Sequence, residues 1–377
     1  MTGGSGIRNK GRTLFFAVVL FAVFILVLEV VLNTTHLFGA RRSCSEPDPV
    51  LGWRFTPGRA YWYHRENDHP ITGRINHGGW RDRDRSRARP TGSYRVAVIG
   101  DSFVEAIQVE RDSTFVARVE DRLGIEVLNF GRSGMTQTEE WLLLQDEVAG
   151  YSPDLVVLLF VPVNDVSEVA PQTSDTGHRP FFDISQNGDL VLNTGFTATR
   201  EYRLKAAVNG LKQHSALVSL VNQRYNLFRQ GRRRSAMVTR DESQEGIGGT
   251  LSLCTARPDP VYARNYALNK RLIGEMAGYC NRQGIAFMLV CANWIYQTDR
   301  VAQYRKMDAT FDPGFFERDL ASHADTLGIE YLGLQEPFEH KYQMRQKPLH
   351  WQHWNYRGHR LVAELLARKI EPLLAGK

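Results

Sequence analysis

The feature that most constrains this chain is a series of continuous apolar runs that end abruptly in small or polar turn residues. Arg95-Val-Ala-Val-Ile99 runs into Gly100-Asp101-Ser102, Glu126-Val-Leu-Asn129 into Gly131-Arg-Ser-Gly134, and Leu155-Val-Val-Leu-Leu-Phe-Val161 into Asn164-Asp165. Runs without polar alternation read as strands buried on both faces, which is the environment of a parallel sheet. Helical patterns separate them. Phe115, Val119 and Leu123 recur with a period near four over residues 114–123, which Gly124 ends, and a second helix is expected over 138–147. Further helices over 262–281, 315–327 and 358–370, the last stopped by Pro372, alternate with strands over 285–291 and 329–333. The expected fold is a three-layer, doubly wound α/β sheet of about five parallel strands with helices on both faces.

Upstream, Leu14 to Leu32 is apolar throughout except for Glu29, and is long enough to cross a bilayer. Arg8, Lys10 and Arg12 precede it, and Arg41 and Arg42 follow. No small-residue cleavage site closes the run, so it reads as an uncleaved single-pass anchor with its N-terminus cytoplasmic. The expected organisation is a cytoplasmic N-terminus over 1–12, a transmembrane anchor over 13–33, an irregular lead-in over 44–93 and the α/β domain over 94–377. That domain carries an insertion over 166–260. The catalytic part would then lie outside the cytoplasm, in a periplasm or at a cell surface.

Within the insertion, Phe181 to Leu192 reads as a hairpin turning at Asn187-Gly188, Tyr202 to Phe228 as one amphipathic helix, and 229–249 as a polar loop. Together they suggest a lid. The formal net charge of +6 is concentrated in Arg232-Arg-Arg234 and around Arg81 to Arg89. It accompanies no nucleic-acid-binding motif, and both runs read as solvated basic surface. Cys44, Cys254, Cys280 and Cys291 are spaced too widely for a zinc motif, so no metal or cofactor is expected. One or two disulfides would suit an oxidising compartment.

In open α/β sheets ligands sit beyond the carboxyl ends of the strands, where three of the turns fall. Ser102 is the candidate nucleophile. The N–H groups of Ser102 and Gly134 and the amide of Asn164 are candidate oxyanion donors, with Asp101 and Asp165 as possible supports. The base is expected from His350-Trp-Gln-His353-Trp-Asn355-Tyr-Arg-Gly358-His359, directly before the last helix. His353 is preferred, His350 is a possible support, and His359, at the helix start, is expected to be structural. Trp294, Trp351 and Trp354 are candidate sugar-stacking aromatics.

These four blocks, Gly100-Asp101-Ser102, Ser133-Gly134, Asn164-Asp165 and His353-Trp-Asn-x-x-Gly-His359, resemble those of the SGNH, or GDSL-type, hydrolases over 94–165 and 262–369. Leu51-Gly-Trp53 and Asn76-His-Gly-Gly-Trp-Arg81 look like the lead-in of membrane-anchored bacterial members. The resemblance implies a five-stranded parallel sheet with Ser as nucleophile, Gly and Asn as oxyanion donors and His as base. The family's base loop usually carries Asp two or three residues before the histidine, and here those positions are Trp351 and His350. The ring's partner would be an acid from elsewhere, such as Glu336 or Glu339, or a backbone carbonyl. The functional expectation is a membrane-anchored serine esterase that removes acyl groups, acetyl foremost, from a glycan. An O-acyltransferase using the same machinery and a noncatalytic glycan-binding protein are the alternatives. Oligomeric state is not legible.

Overall fold

The computed structural model describes residues 5–39, 42–241, 247–292 and 295–374. Five strands form one sheet: β1 (Arg95–Gly100), β2 (Glu126–Gly131), β3 (Leu155–Phe160), β4 (Ala286–Cys291) and β5 (Glu330–Gly333). Their order is β5-β4-β3-β1-β2, and every pairing is parallel. Every residue of β1 and β3 is buried, which is why neither shows a polar alternation.

Alternate side chains build two cores. Ala97, Ile99, Val156 and Leu158 face the layer of helices Gln137–Asp146, Pro260–Arg282 and Phe315–Leu327. Val96, Val98, Leu155 and Val157 face Phe115–Leu123 and Tyr356–Leu374. The chain moves outward from β1 to β2 and then returns across β1 to β3. The switch point of the sheet therefore opens between the carboxyl ends of β1 and β3, where a crevice forms without any further device.

Several expectations need correction. The lead-in is regular: two antiparallel pairs, Ser45–Asp48 with Gly52–Phe55 and Ala60–Tyr63 with Ile71–Arg74. The expected amphipathic helix is two helices, Arg200–His214 and Ala216–Asp241. They are broken at Ser215, whose extended backbone and Oγ, accepting from the Val218 N–H at 3.1 Å, start the second one. That helix continues to Asp241 through most of the expected loop. The side chains of Arg232 to Arg234 lie outside the described residues. The last helix passes Pro372 to reach Leu374, since a proline in a final turn removes only one ladder bond. No disulfide forms among the described residues.

The Arg81 to Arg89 run is not simply solvated. Arg81 is 1% exposed. Its Nε donates to Tyr61 Oη at 2.8 Å, Nη1 to the Glu105 and Ala106 carbonyls at 2.9 Å each, and Nη2 to the Val109 carbonyl. The Arg85 side chain, 7% exposed, is paired with Asp82 and Glu120. Arg81 thus satisfies the carbonyl end of the short helix that begins at Ser102, and burial is tolerated because nearly every donor is used. Arg81→Ala leaves three carbonyls without this donor and is expected to lower unfolding free energy by roughly 2–4 kcal/mol, with Arg81→Lys recovering part. Denaturant titration checks this, and a change below about 0.5 kcal/mol, the usual size for a surface substitution, would remove the role assigned to Arg81.

Candidate active site

Ser102 opens the helix Ser102–Glu105 directly after β1, capped by Asp101, whose Oδ1 accepts the Phe103 N–H at 2.9 Å. The helix can approach β2 this closely because residue 131 is glycine: a Cβ there would meet the Glu105 backbone N at 2.2 Å. Across the crevice, the loop 350–355 folds on itself, with an antiparallel bridge between His350 and Trp354 and the Trp351 N–H donating to the His353 carbonyl at 2.7 Å. His353 Nε2 lies 2.9 Å from Ser102 Oγ.

The partner of the other ring nitrogen comes from a segment that sequence reasoning did not search. His353 Nδ1 lies 2.8 Å from Glu66 Oε1, in the lead-in connection between Tyr63 and Ile71. The Glu66 side chain is 1% exposed. It also accepts the N–H groups of His353 at 2.8 Å and Gln352 at 3.1 Å on Oε2, and the Tyr63 hydroxyl at 2.7 Å on Oε1. Asn67 ties this connection to the domain by donating to Tyr356 Oη at 2.8 Å and the Gln108 carbonyl at 3.3 Å. Glu336 and Glu339 are elsewhere, on the helix Gln335–Arg345, where Glu339 accepts from Gln335 Nε2. The only sequence signal for Glu66 was the chemical demand itself, an imidazole without a carboxylate in its own loop.

Electrostatics follow from this packing. Burial pushes the Glu66 carboxyl up, but the hydrogen bonds and charge of His353 outweigh it and hold it below the usual range. Burial pushes His353 down, and the Glu66 hydrogen bond and charge, with Asp101 and Glu105 behind, bring it above the ordinary 6.5. An ionised Glu66 can only accept, so neutral His353 carries its proton on Nδ1 and presents Nε2 to the Ser102 hydroxyl.

The remaining predicted residues cluster at the same carboxyl edge. Gly134 has φ +75°, a left-handed conformation suited to glycine, and a Cβ there would lie 3.5 Å from Arg179 Nη2. Its loop is pinned by buried Glu105, whose Oε2 accepts the Ser133 N–H at 2.5 Å and the Ser133 hydroxyl. Among the described residues, neither the Ser102 nor the Gly134 N–H is spent on a protein acceptor. Asn164 Nδ2 donates one proton to Asp101 Oδ2 at 2.7 Å. Burial pushes the Asp101 carboxyl up, opposed by the Phe103 N–H and the Asn164 amide. Asp165 accepts the Val161 N–H at 2.5 Å. Burial, then the charge of Asp101, pushes its carboxyl well above the ordinary range.

His350 lies against the Tyr296 hydroxyl through Nδ1 rather than on His353. His359 is fully buried, accepts the Phe115 N–H at 3.2 Å, and is pushed down to about 3 by burial, as suits a core imidazole. Trp354 is 1% exposed and packs on Phe103 and Phe115, so it is no platform. Trp351 is 36% exposed, two residues from His353, and Trp294 lies outside the described residues. No group of three or more His, Cys, Asp or Glu side chains arranged to hold a metal occurs among the described residues.

A five-stranded parallel sheet now stands with all four sequence blocks on its carboxyl edge. This is the fold that the resemblance to the SGNH-type hydrolases implies. No family model matches the chain, and no curated protein matches it. Among solved structures it is similar to the acetyl xylan esterase AlAXEase, at 15% identity over 73% of this chain and 99% of that one, with a TM-score of 0.40. It is also similar to a catalytic mutant of Axe2, an acetylxylan esterase from Geobacillus stearothermophilus, at 14% identity over 75% and 96%, TM-score 0.40. A third is a GDSL-like lipase from Bacteroides thetaiotaomicron, at 13% identity over 76% and 92%, TM-score 0.36. What the site can do is therefore read from its own distances.

Proposed function

We propose that the protein is a membrane-anchored serine esterase acting outside the cytoplasm. The observation that carries the reading is the unbroken chain Ser102 Oγ, His353 Nε2, His353 Nδ1 and Glu66 Oε1, with steps of 2.9 Å and 2.8 Å between residues. It supplies a nucleophile, a base and an orienting acid.

Ser102 Oγ attacks the ester carbonyl as its proton passes to His353 Nε2, and Glu66 stabilises the imidazolium through Nδ1–H. The carbonyl oxygen becomes an oxyanion facing the free N–H groups of Ser102 and Gly134 and the second amide proton of Asn164, which Asp101 orients. Collapse breaks the bond to the leaving alcohol, which takes the proton from His353 Nε2. A water then attacks the acyl-Ser102, giving one proton to His353 Nε2; collapse breaks the acyl–Oγ bond, Ser102 Oγ takes that proton back, and the free acid departs.

The alcohol is proposed to be a sugar hydroxyl and the acyl group acetyl. Exposed Trp351, two residues from the base, offers a face on which a sugar can stack. The helix Lys10–Thr35 is long and apolar enough to cross a membrane. The basic residues ahead of it support a cytoplasmic N-terminus and an extracytoplasmic site.

The test is hydrolysis of a short-chain aryl acetate by the full-length protein in liposomes, as a function of pH. His353 must be neutral to accept the Ser102 proton, so kcat/KM is lost as pH falls through the folded pKa and is full above it. Because that pKa is raised, the acid limb is expected to have its midpoint above 6.5. A midpoint at or below 6.5, or no turnover beyond that of Ser102→Ala, would sink the reading.

A further inference from the structure

The insertion reaches the site through an arginine. Arg179 precedes the strand Phe181–Ile184, and its backbone is seated on the lead-in at Gly52. There φ is +77°, and a Cβ would collide with the His178 carbonyl and lie 3.2 Å from Arg179 Cα, so the approach needs glycine. His178 Nε2 lies 3.1 Å from Glu201 on the helix Arg200–His214, and Phe181 and Phe182 are buried just beyond. The segment is thus fixed on both sides, and Arg179 is 6% exposed.

Its guanidinium contrasts with that of Arg81, which finds an acceptor for nearly every donor. Among the described residues, Arg179 Nε and Nη1 are buried with no hydrogen-bond acceptor. They face Glu139 Oε1 at 3.7 Å and Glu168 Oε2 at 3.8 Å, ion-pair distances too long for hydrogen bonds. Both carboxylates are engaged elsewhere: Glu139 Oε2 accepts the Thr136 N–H at 3.0 Å and hydroxyl at 2.9 Å, and Glu168 Oε2 accepts the Ser174 hydroxyl at 2.6 Å. Glu139 Oε1 is shared with a second arginine, Arg132, which is 1% exposed and held over the Trp53 ring at 4.5 Å. Arg132 Nη2 lies 3.5 Å from that oxygen, and its Nε and Nη1 have no acceptor either. Donors are therefore in excess here, which is costly for buried cations. The third nitrogen of Arg179, Nη2, is turned to Gly134, 3.5 Å from where a Cβ would stand. It is then about 5 Å or less from Gly134 Cα, one carbon–carbon bond further on.

We propose that Arg179 reads the charge of the substrate: its Nη2 edge binds a carboxylate on the sugar that carries the acyl ester, so the glycan is an acidic one containing uronic acids. This rests on the esterase reading of Ser102 and His353. Placement decides the ligand. A group bound at Nη2 stands beside the Gly134 N–H, where the ester oxyanion forms, so it belongs to the acylated sugar itself and not to a distant residue of the polymer. Acetyl carries no charge, which puts the acid on the alcohol side. A planar guanidinium edge matches the two oxygens of a carboxylate, and a buried pair is little screened. A neutral hydroxyl would meet one donor and leave the charge unanswered. Arg132 stands behind as a second positive charge, so that Glu139 does not neutralise Arg179 alone.

The experiment uses full-length protein in detergent micelles. The substrates are O-acetylated methyl glycosides of galacturonic and glucuronic acid, the same compounds with the acid masked as its methyl ester, and an aryl acetate. Wild-type kcat/KM on the free acid is expected to exceed that on the masked acid about 10- to 100-fold, mostly through KM, as for hydrogen bonds to a charged group. Arg179→Gln should abolish this preference, and Arg179→Lys should keep part of it, since a point charge replaces the fork. Each ratio is taken on one sample and so does not depend on the fraction folded. Should Arg179→Gln fail to fold, or the sugar esters prove poor substrates, inhibition of aryl acetate hydrolysis by wild type decides: methyl galacturonoside is expected to act at a concentration at least about tenfold lower than methyl galactoside. Equal inhibition there overturns the inference. With the aryl acetate turned over, a wild-type ratio showing no preference, or a preference that survives Arg179→Gln, overturns the inference and leaves the esterase reading standing. An Arg179-dependent preference for an aryl hemisuccinate over the aryl acetate places the acid on the acyl group and equally overturns it. Turnover of none of these compounds sinks the esterase reading, and the inference with it.

Discussion

Ester hydrolysis by Ser102→Ala is expected to fall about 10⁵–10⁶-fold, with His353→Ala falling by a similar factor and the double variant no further. The two side chains are one device: the Ser102 hydroxyl is too weak an acid to lose its proton without Nε2 at 2.9 Å to accept it, and Nε2 has nothing to deprotonate without the hydroxyl. Removing either leaves the oxyanion donors and substrate binding, which account for the residual rate. Ser102 Oγ makes no other side-chain hydrogen bond among the described residues, so Ser102→Ala should melt within a few degrees of wild type. Steady-state kinetics with the aryl acetate, alongside thermal unfolding, checks both halves. Activity of a well-folded Ser102→Ala within tenfold of wild type would show that the nucleophile lies elsewhere.

Glu66→Gln is expected to reduce kcat about 10³–10⁴-fold while KM changes little. The reason is the hydrogen-bond geometry around the carboxylate. The N–H groups of His353 and Gln352 both point at Oε2, so a glutamine places its amide oxygen there and turns its NH₂ toward His353 Nδ1. Nδ1 must then accept, the ring proton moves to Nε2, and Nε2 can no longer receive the Ser102 proton. Loss of the carboxylate also removes the hydrogen bond and the charge that together raise His353, so the acid limb of the residual activity should move down. A merely structural role for Glu66 would lower stability and leave that limb in place. Combining Glu66→Gln with Ser102→Ala should cost no more than Ser102→Ala alone.

Legibility differed sharply between parts of this molecule. The buried strands could be read because β1 and β3 are covered on both faces and so must be apolar at every position, a local signal that survives without knowledge of neighbours. Three of the site's turns could be read for a related reason: parallel strands deliver their ends to one edge, so sequence position implies spatial proximity. Arg81 could not be read, because a solvated arginine and one that satisfies three carbonyls look alike until the helix Ser102–Glu105 is placed beside it. The break at Ser215 was also hidden, since a serine inside a helical pattern starts a new helix only where something meets it, and here that is Glu29, which accepts the Ser215 hydroxyl at 2.9 Å and the Ala216 N–H at 2.6 Å.

The sequence by itself determined the layered α/β architecture, the apolar N-terminal helix and the identity of Ser102, Gly134, Asn164 and His353 as the residues to watch. These follow from periodicity and from chemistry concentrated in short segments. Only the tertiary structure decided which acid orients His353 and what the insertion leans on. Glu66 lies 287 residues from His353, and Glu29 lies 187 from Ala216. Carboxylates are recruited by unsatisfied donors wherever the fold brings those donors, and hydrogen-bond demand carries no record of distance along the chain.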